Sequence, residues 1–471
     1  MSTTFDLAIV GSGPAGMAAA IAASALKLSV VVLDEQPEPG GQIYRGIERL
    51  ASSRPKHLEI LGPDYATGLD LTRAFRASHV EYMSATQVWQ VEPEGRVFYR
   101  RNGAAGVLTA QKTLIAPGAM ERPLPIPGWT LPGVLTCGAG QTLLKANGLV
   151  PKGRFVLAGC GPLLLLLAAQ LTRAGIKPQA VLQTTFNRWA AAPHLPGFLA
   201  MPGYLAKGLA MLRELKSAGV PVLDHVTHLA LKGDDHVHEV EYSRGGAKQS
   251  LAVDTVFLHQ GVVPNGNLAL STDIRHQWND LQKCFCPELD AWGRSSSNTV
   301  RVAGDAGGIV GAVGAAAMGE VAGLAAAADL GRIQSAELEH RSAAARRVLA
   351  RHRAARPFLD RLYRPQQQWL APTDPDTVIC RCEEIRAGDV RSLVAAQNCP
   401  GPNQLKSFMR CGMGPCQGRL CGLTAVELIA ETRGQTPAEI GYYRIRAPIK
   451  PITLGDMAAL DVPSRHDAIN T

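Results

Sequence analysis

Two cysteine pairs near the C-terminus carry the spacing of a metal centre: Cys380 and Cys382 in VICRCEE, then Cys416 and Cys421 in GMGPCQGRLCG. Thiolates are soft ligands, and a C-x-C followed by a C-x4-C can set four sulfurs around iron or zinc. In an extended segment Cys380 and Cys382 lie on one side. Gly412, Gly414 and Gly418 let the later loop fold tightly and turn amides toward sulfur. Cys411 also stands four residues before Cys416, which makes it an alternate ligand.

The N-terminus bears on the choice of metal. FDLAIVGSGPAGMAAAIAAS reads as strand, glycine turn and helix start, with Gly11, Gly13 and Gly16 in the G-x-G-x-x-G positions and Pro14 and Ala15 opening the helix. The first glycine makes the tight turn, the second lets backbone approach a pyrophosphate, and the third lets helix and strand pack. The helix N-terminus stabilises phosphate charge. Asp34, ending the strand in SVVVLDEQ, stands where an acid binds a ribose hydroxyl, with Glu35 as its neighbour. A flavin beside a thiolate centre gives iron a redox purpose that structural zinc lacks.

These sites need elements to hold them. With 471 residues, 46% of them hydrophobic, the chain has material for about three domains. The first βαβ unit covers 1–118, and RFVLAGCGPLLLLLAAQL opens a second doubly wound unit over 119–260. The first is resumed over 261–331, where VRVAGDAGG feeds a helix of small residues that can pack closely. An Arg-rich helical linker follows over 332–375, then a small α-rich cysteine domain over 376–450 and a tail over 451–471. In the second unit Gly159 and Gly161 are kept, but Leu164 replaces the third glycine and would hinder close helix packing. The next strand ends in QTT without an acid, so this unit is read as degenerate for NAD(P).

The net charge of +8 is weighted toward the arginines of 340–364, which favours a partner or anionic cofactor over nucleic acid. The longest purely apolar run, in GPLLLLLAAQL, falls short of a membrane span, so the expectation is a cytoplasmic chain, with peripheral docking on the membrane left open. The 10 cysteines read as ligands and free thiols. Cys284 and Cys286 form a second C-x-C without a nearby partner pair, and His236 and His238 are read as strand residues beside a turn. Cys137 and Cys160 lack a C-x-x-C mate, which argues against a disulfide reductase.

The late VRVAGDAGG, with Gly304 and Asp305, resembles the glutathione-reductase-like flavoproteins, in which the matching glycine and aspartate bind the ribityl-phosphate region of FAD. By the same resemblance Gly41 and Gln42 of PGGQIYR and Gly118 of APG pass the cofactor, and Val88 contacts adenine through its backbone. The cysteine segment resembles the bacterioferritin-associated-ferredoxin-like [2Fe-2S] domain, which favours Cys380, Cys382, Cys416 and Cys421 as ligands with Cys411 as alternate.

Over nearly its full length the chain resembles the α-type subunits of heteromeric dye-linked dehydrogenases, the group of opine oxidases, D-hydroxyproline and proline dehydrogenases and hydrogen cyanide synthase. That resemblance implies an amino-acid-oxidase-like β subunit where substrate is oxidised, a small ferredoxin-like γ subunit in some assemblies, FMN at the α/β boundary, and a quinone or dye as acceptor. It implies an electron relay in which no residue is assigned as catalytic acid or base. A self-contained NAD(P)H-dependent flavoprotein reductase and a non-catalytic redox scaffold or sensor are the alternatives.

Overall fold

The computed structural model describes residues 4–185 and 187–460; of the expected tail, 461–471 lies outside the described residues. The strand Thr4–Val10 pairs in parallel with Val30–Leu33 on one side and Ala104–Ile115 on the other. All but its first residue are buried, as a parallel strand covered on both faces requires. Glu81–Met83 extends the sheet, and Val300–Val302 returns from far along the chain to pair with Ala104–Ile115. The segment after the insertion thereby completes the first sheet.

Helices Pro14–Ser24 and Ala312–Asp329 pack together on one face of that sheet. Their approach depends on glycine: a Cβ on Gly319 would lie 2.0 Å from the carbonyl oxygen of Ala15, and one on Gly323 2.5 Å from that of Ala19. Gly319→Val is therefore expected to destabilise the fold by about 3 kcal/mol or more, measured by chemical unfolding. Unchanged stability would contradict this packing.

Ala312–Asp329, at 18 residues and mean hydropathy 1.2, is long and apolar enough to cross a membrane by length and composition. Its composition is explained by core packing, since it is 67% buried and lies against both Pro14–Ser24 and the 28-residue helix Ser335–Leu362.

The second parallel sheet runs in the order Val222–Leu223, Ala180–Gln183, Phe155–Cys160, Thr255–Gln260, Val134–Thr136. The chain enters and leaves this unit through two short strands, Ala119–Glu121 and Val262–Pro264, paired antiparallel. Leu164 does not obstruct its helix, contrary to the expectation. It is fully buried in a core with Phe155, Leu157 and Phe257, so the missing glycine has become apolar packing.

Beyond the long helix, Ala387–Gln397, Pro402–Met409 and Gly422–Arg433 enclose a separate core that includes Ile379, Val390, Leu405 and Leu428. The following segment runs back over the first sheet, where Ile449 N–H donates to the Trp89 carbonyl and Asp456 pairs with Arg100. Several arginines of the long helix and its end are engaged within the chain, as in Arg341–Glu337, Arg356–Asp360 and Arg364–Asp280.

Candidate dinucleotide cleft and thiol centre

The first glycine turn opens into a cleft of about 650 Å³, within the size range of cofactor sites. Gly11, Gly13, Pro14, Ala15, Asp34, Glu35, Gly41, Gln42, Val88, Gly118, Gly304 and Asp305 all line it. Gly16 lies behind the turn, where a Cβ would stand 1.8 Å from the Gly11 carbonyl oxygen. Gly13 differs from both neighbours. Its φ of −72° suits any residue, and an added Cβ would meet only Gly41 Cα, at 3.9 Å, so this glycine leaves open space for a ligand. The helix Pro14–Ser24 begins directly behind it.

Asp34 is drawn into the turn itself: Oδ2 accepts from Ser12 N–H at 2.5 Å and Ser12 Oγ at 2.8 Å, and Oδ1 accepts from Gln36 N–H at 2.7 Å. Glu35 is half-exposed and pairs with Lys450. Asp305 caps the approach to the long apolar helix, with Oδ1 accepting from the backbone N–H groups of Val310 and Gly311.

Two groups in the cleft escaped sequence reasoning. Lys145 is buried with no carboxylate partner among the described residues, and its Nζ donates to the Gln42 carbonyl at 3.1 Å and Gln141 Oε1 at 2.9 Å. Burial, reinforced by nearby Arg45, lowers its pKa to about 7. Glu121, in the strand by which the chain enters the second unit, accepts from Gly138 N–H at 2.7 Å and lies 2.5 Å from His259 Nδ1. Neither lies in a motif; both are placed by contacts between segments far apart in sequence.

The crevice of the second glycine turn is differently furnished. The His259 ring stands over Gly161, where a Cβ would meet Cδ2 and Nε2 at 2.8 Å. The linker after the long helix crosses the same sheet edge, with Gln366 Nε2 donating to the Thr184 carbonyl at 3.0 Å and Cys160 Sγ to the Tyr363 carbonyl at 3.3 Å.

In the cysteine domain, Cys380, Cys411 and Cys421 bring their sulfurs within 4.8 Å of one another, all buried. Hydrogen bonding with the Cys411 thiol, then with Cys421, holds the Cys380 thiol well below the usual thiol range. Cys382 lies beyond the strand that carries Cys380. The strand Val378–Cys380 ends at Cys380, and the chain turns through Glu384 at φ 53°. Cys382 is exposed and lies within hydrogen-bonding reach of Cys416. Gly414 permits this approach, because a Cβ there would lie 2.1 Å from the Cβ of Cys382. Cys399 sits apart, its Sγ donating to the Gly401 carbonyl. Cys284 and Cys286 share a strand with sulfurs 3.9 Å apart, and His236 Nδ1 faces a backbone carbonyl.

A duplicated glycine-turn fold with an open cleft in its first copy defines a flavoprotein-type oxidoreductase, and the chain belongs to the pyridine nucleotide-disulphide oxidoreductase family, which matches residues 5–319. Residues 379–461 match the sarcosine oxidase A3 domain. The chain is 44% identical to an opine oxidase subunit of Agrobacterium tumefaciens (strain Ach5), over 99% of this chain and 93% of that protein. It is 32% identical to the hydrogen cyanide synthase subunit HcnB of Pseudomonas aeruginosa, over 94% of this chain and 96% of that one. L-Proline dehydrogenase from P. horikoshii has the same fold, with a TM-score of 0.69 at 18% identity over 97% of this chain and 79% of that one. The expected kinship with α-type subunits of heteromeric dehydrogenases is thus found in the relatives themselves.

Proposed function

We propose that this chain is the electron-carrying subunit of a heteromeric dehydrogenase, acting with an amino-acid-oxidase-like β subunit that oxidises an opine, hydroxyproline or a similar secondary-amine amino acid. The observation that carries the reading is that the loop bearing Cys416 borders the open cleft through Arg419, and it is supported by the His259 ring and the linker crowding the second glycine turn. This arrangement favours a route for electrons toward sulfur over one from nicotinamide.

FAD fits the first cleft. The helix N-terminus and the open space at Gly13 suit a pyrophosphate, and Glu35, less committed to the turn than Asp34, suits the ribose hydroxyls. Bound there, flavin supplies acceptance and release of electrons. Around it, Lys145 holds a proton donor in the wall, and the Ser12–Asp34 bonds hold the turn open.

The thiols divide as three plus two, and a [2Fe-2S] cluster takes two thiolates on each iron. Cys382 with Cys416 supplies one pair, Cys380 with Cys421 the other, and Cys411 remains the alternate. A small ferredoxin-like subunit, FMN at the subunit boundary, a quinone as acceptor and a cytoplasmic site of action complete the reading.

The test is anaerobic stopped-flow reduction of this chain's flavin. With the β subunit and its amino-acid substrate present the flavin bleaches, and with NADH alone it does not. Rapid bleaching of the purified chain by NADH would favour the self-contained reductase, and no bleaching under either condition would favour the redox scaffold.

A further inference from the structure

Arg419 belongs to the cysteine loop in sequence and to the dinucleotide cleft in space. Its Nη1 donates to the Cys416 carbonyl at 3.1 Å and its Nη2 to the Ile449 carbonyl at 3.1 Å, so it ties the loop to the returning tail. The same loop is pinned on its other side, where Asn267 Nδ2 donates to the Gln417 carbonyl at 3.0 Å and Gln417 Nε2 to the Pro448 carbonyl at 2.7 Å. Ile449 N–H in turn donates to Trp89 in the strand that carries Val88. Both contacts of the guanidinium that the structure shows are to neutral carbonyls, and its positive charge is a wall of the cleft. A guanidinium offers five donors in a planar fork, well matched to phosphate oxygens.

We infer that the cysteine domain completes the dinucleotide site: Arg419 is the counter-cation for the diphosphate of the bound nucleotide, and by that bond nucleotide occupancy orders the Cys416 loop. The inference rests on the nucleotide reading above and adds to it a named residue and a coupling between the two redox sites. The coupling is reciprocal, because a ligand that stabilises the loop is bound more tightly when the loop is already ordered.

ADP and adenosine separate the diphosphate from the rest of the ligand. Their affinities are measured by titration of flavin-free full-length protein of the wild type, Arg419→Leu and Arg419→Lys. Iron release to a chelator is followed with and without ADP. Arg419→Leu is expected to weaken ADP by about tenfold or more, the loss of a charge-assisted bond, while leaving adenosine unchanged. Arg419→Lys recovers part of that loss. In the wild type ADP slows iron release, and in Arg419→Leu it does not.

Equal ADP affinity in wild type and Arg419→Leu, or equal losses for ADP and adenosine, would overturn the inference while leaving the nucleotide site standing. A wild type that binds neither ligand would instead overturn the nucleotide reading on which it rests.

Discussion

Cys380→Ser protein, reconstituted with iron and sulfide in the absence of oxygen, is expected to lose essentially all of its iron and visible absorbance. Cys380 shares the buried sulfur group with Cys411 and Cys421, so removing it takes one of three clustered thiols away. A serine oxygen there is a harder and less acidic ligand, poorly suited to iron in a sulfur site. The cost should fall on the centre and on the cysteine domain alone. Flavin content is expected to stay near that of the wild type, because Cys380 does not line the cleft. Cys411→Ser is the informative companion: as the alternate ligand it should retain iron with a shifted spectrum. Loss of iron in Cys411→Ser together with its retention in Cys421→Ser would move the ligand assignment to Cys411.

Gly13→Val should weaken flavin binding roughly a hundredfold while sparing the fold. Most glycines of the turn cannot test this, since Gly11 at φ 105° and Gly16 against the Gly11 carbonyl oxygen would strain the backbone when substituted. At Gly13 the backbone is ordinary and the added side chain points into space that only a ligand would fill. The loss of close approach between helix amides and phosphate is worth about 3 kcal/mol, roughly a hundredfold in Kd. Replacing an N-cap glycine costs the unliganded protein about 1 kcal/mol. Flavin titration and chemical unfolding of the same preparation read the two effects separately. A Gly13→Val protein that purifies yellow with wild-type affinity would remove the pyrophosphate from this turn.

The parts legible in the sequence are those whose information is local. The glycine turn, the Gly304–Asp305 strand end and the small-residue helix each carry their geometry within a few neighbouring residues. The cleft-lining set from Gly11 to Asp305 is gathered because those strand ends share one edge of one sheet. What stayed hidden was made by distant segments meeting. His259 over Gly161 depends on the register between Thr255–Gln260 and Phe155–Cys160, which no motif states. Lys145 reads as an ordinary surface lysine on a helix until its face is buried against Gln42. Leu164 was legible as a lost glycine, yet whether the helix shifts or the core absorbs the side chain depends on packing, and here the core absorbs it. That Cys382 meets Cys416 while Cys380 meets Cys411 and Cys421 depends on where a three-residue strand stops, the least predictable feature of such an element.

The electron relay proposed here requires one polypeptide to hold both a flavin and an iron–sulfur cluster. Its most direct measurement is metal, sulfide and flavin analysis of the full chain purified without oxygen, combined with electron paramagnetic resonance after reduction. The expected result is bound FAD, iron matched by an equal amount of acid-labile sulfide, and a paramagnetic signal that appears on reduction. Zinc in place of iron, or a colourless protein without flavin, would contradict it.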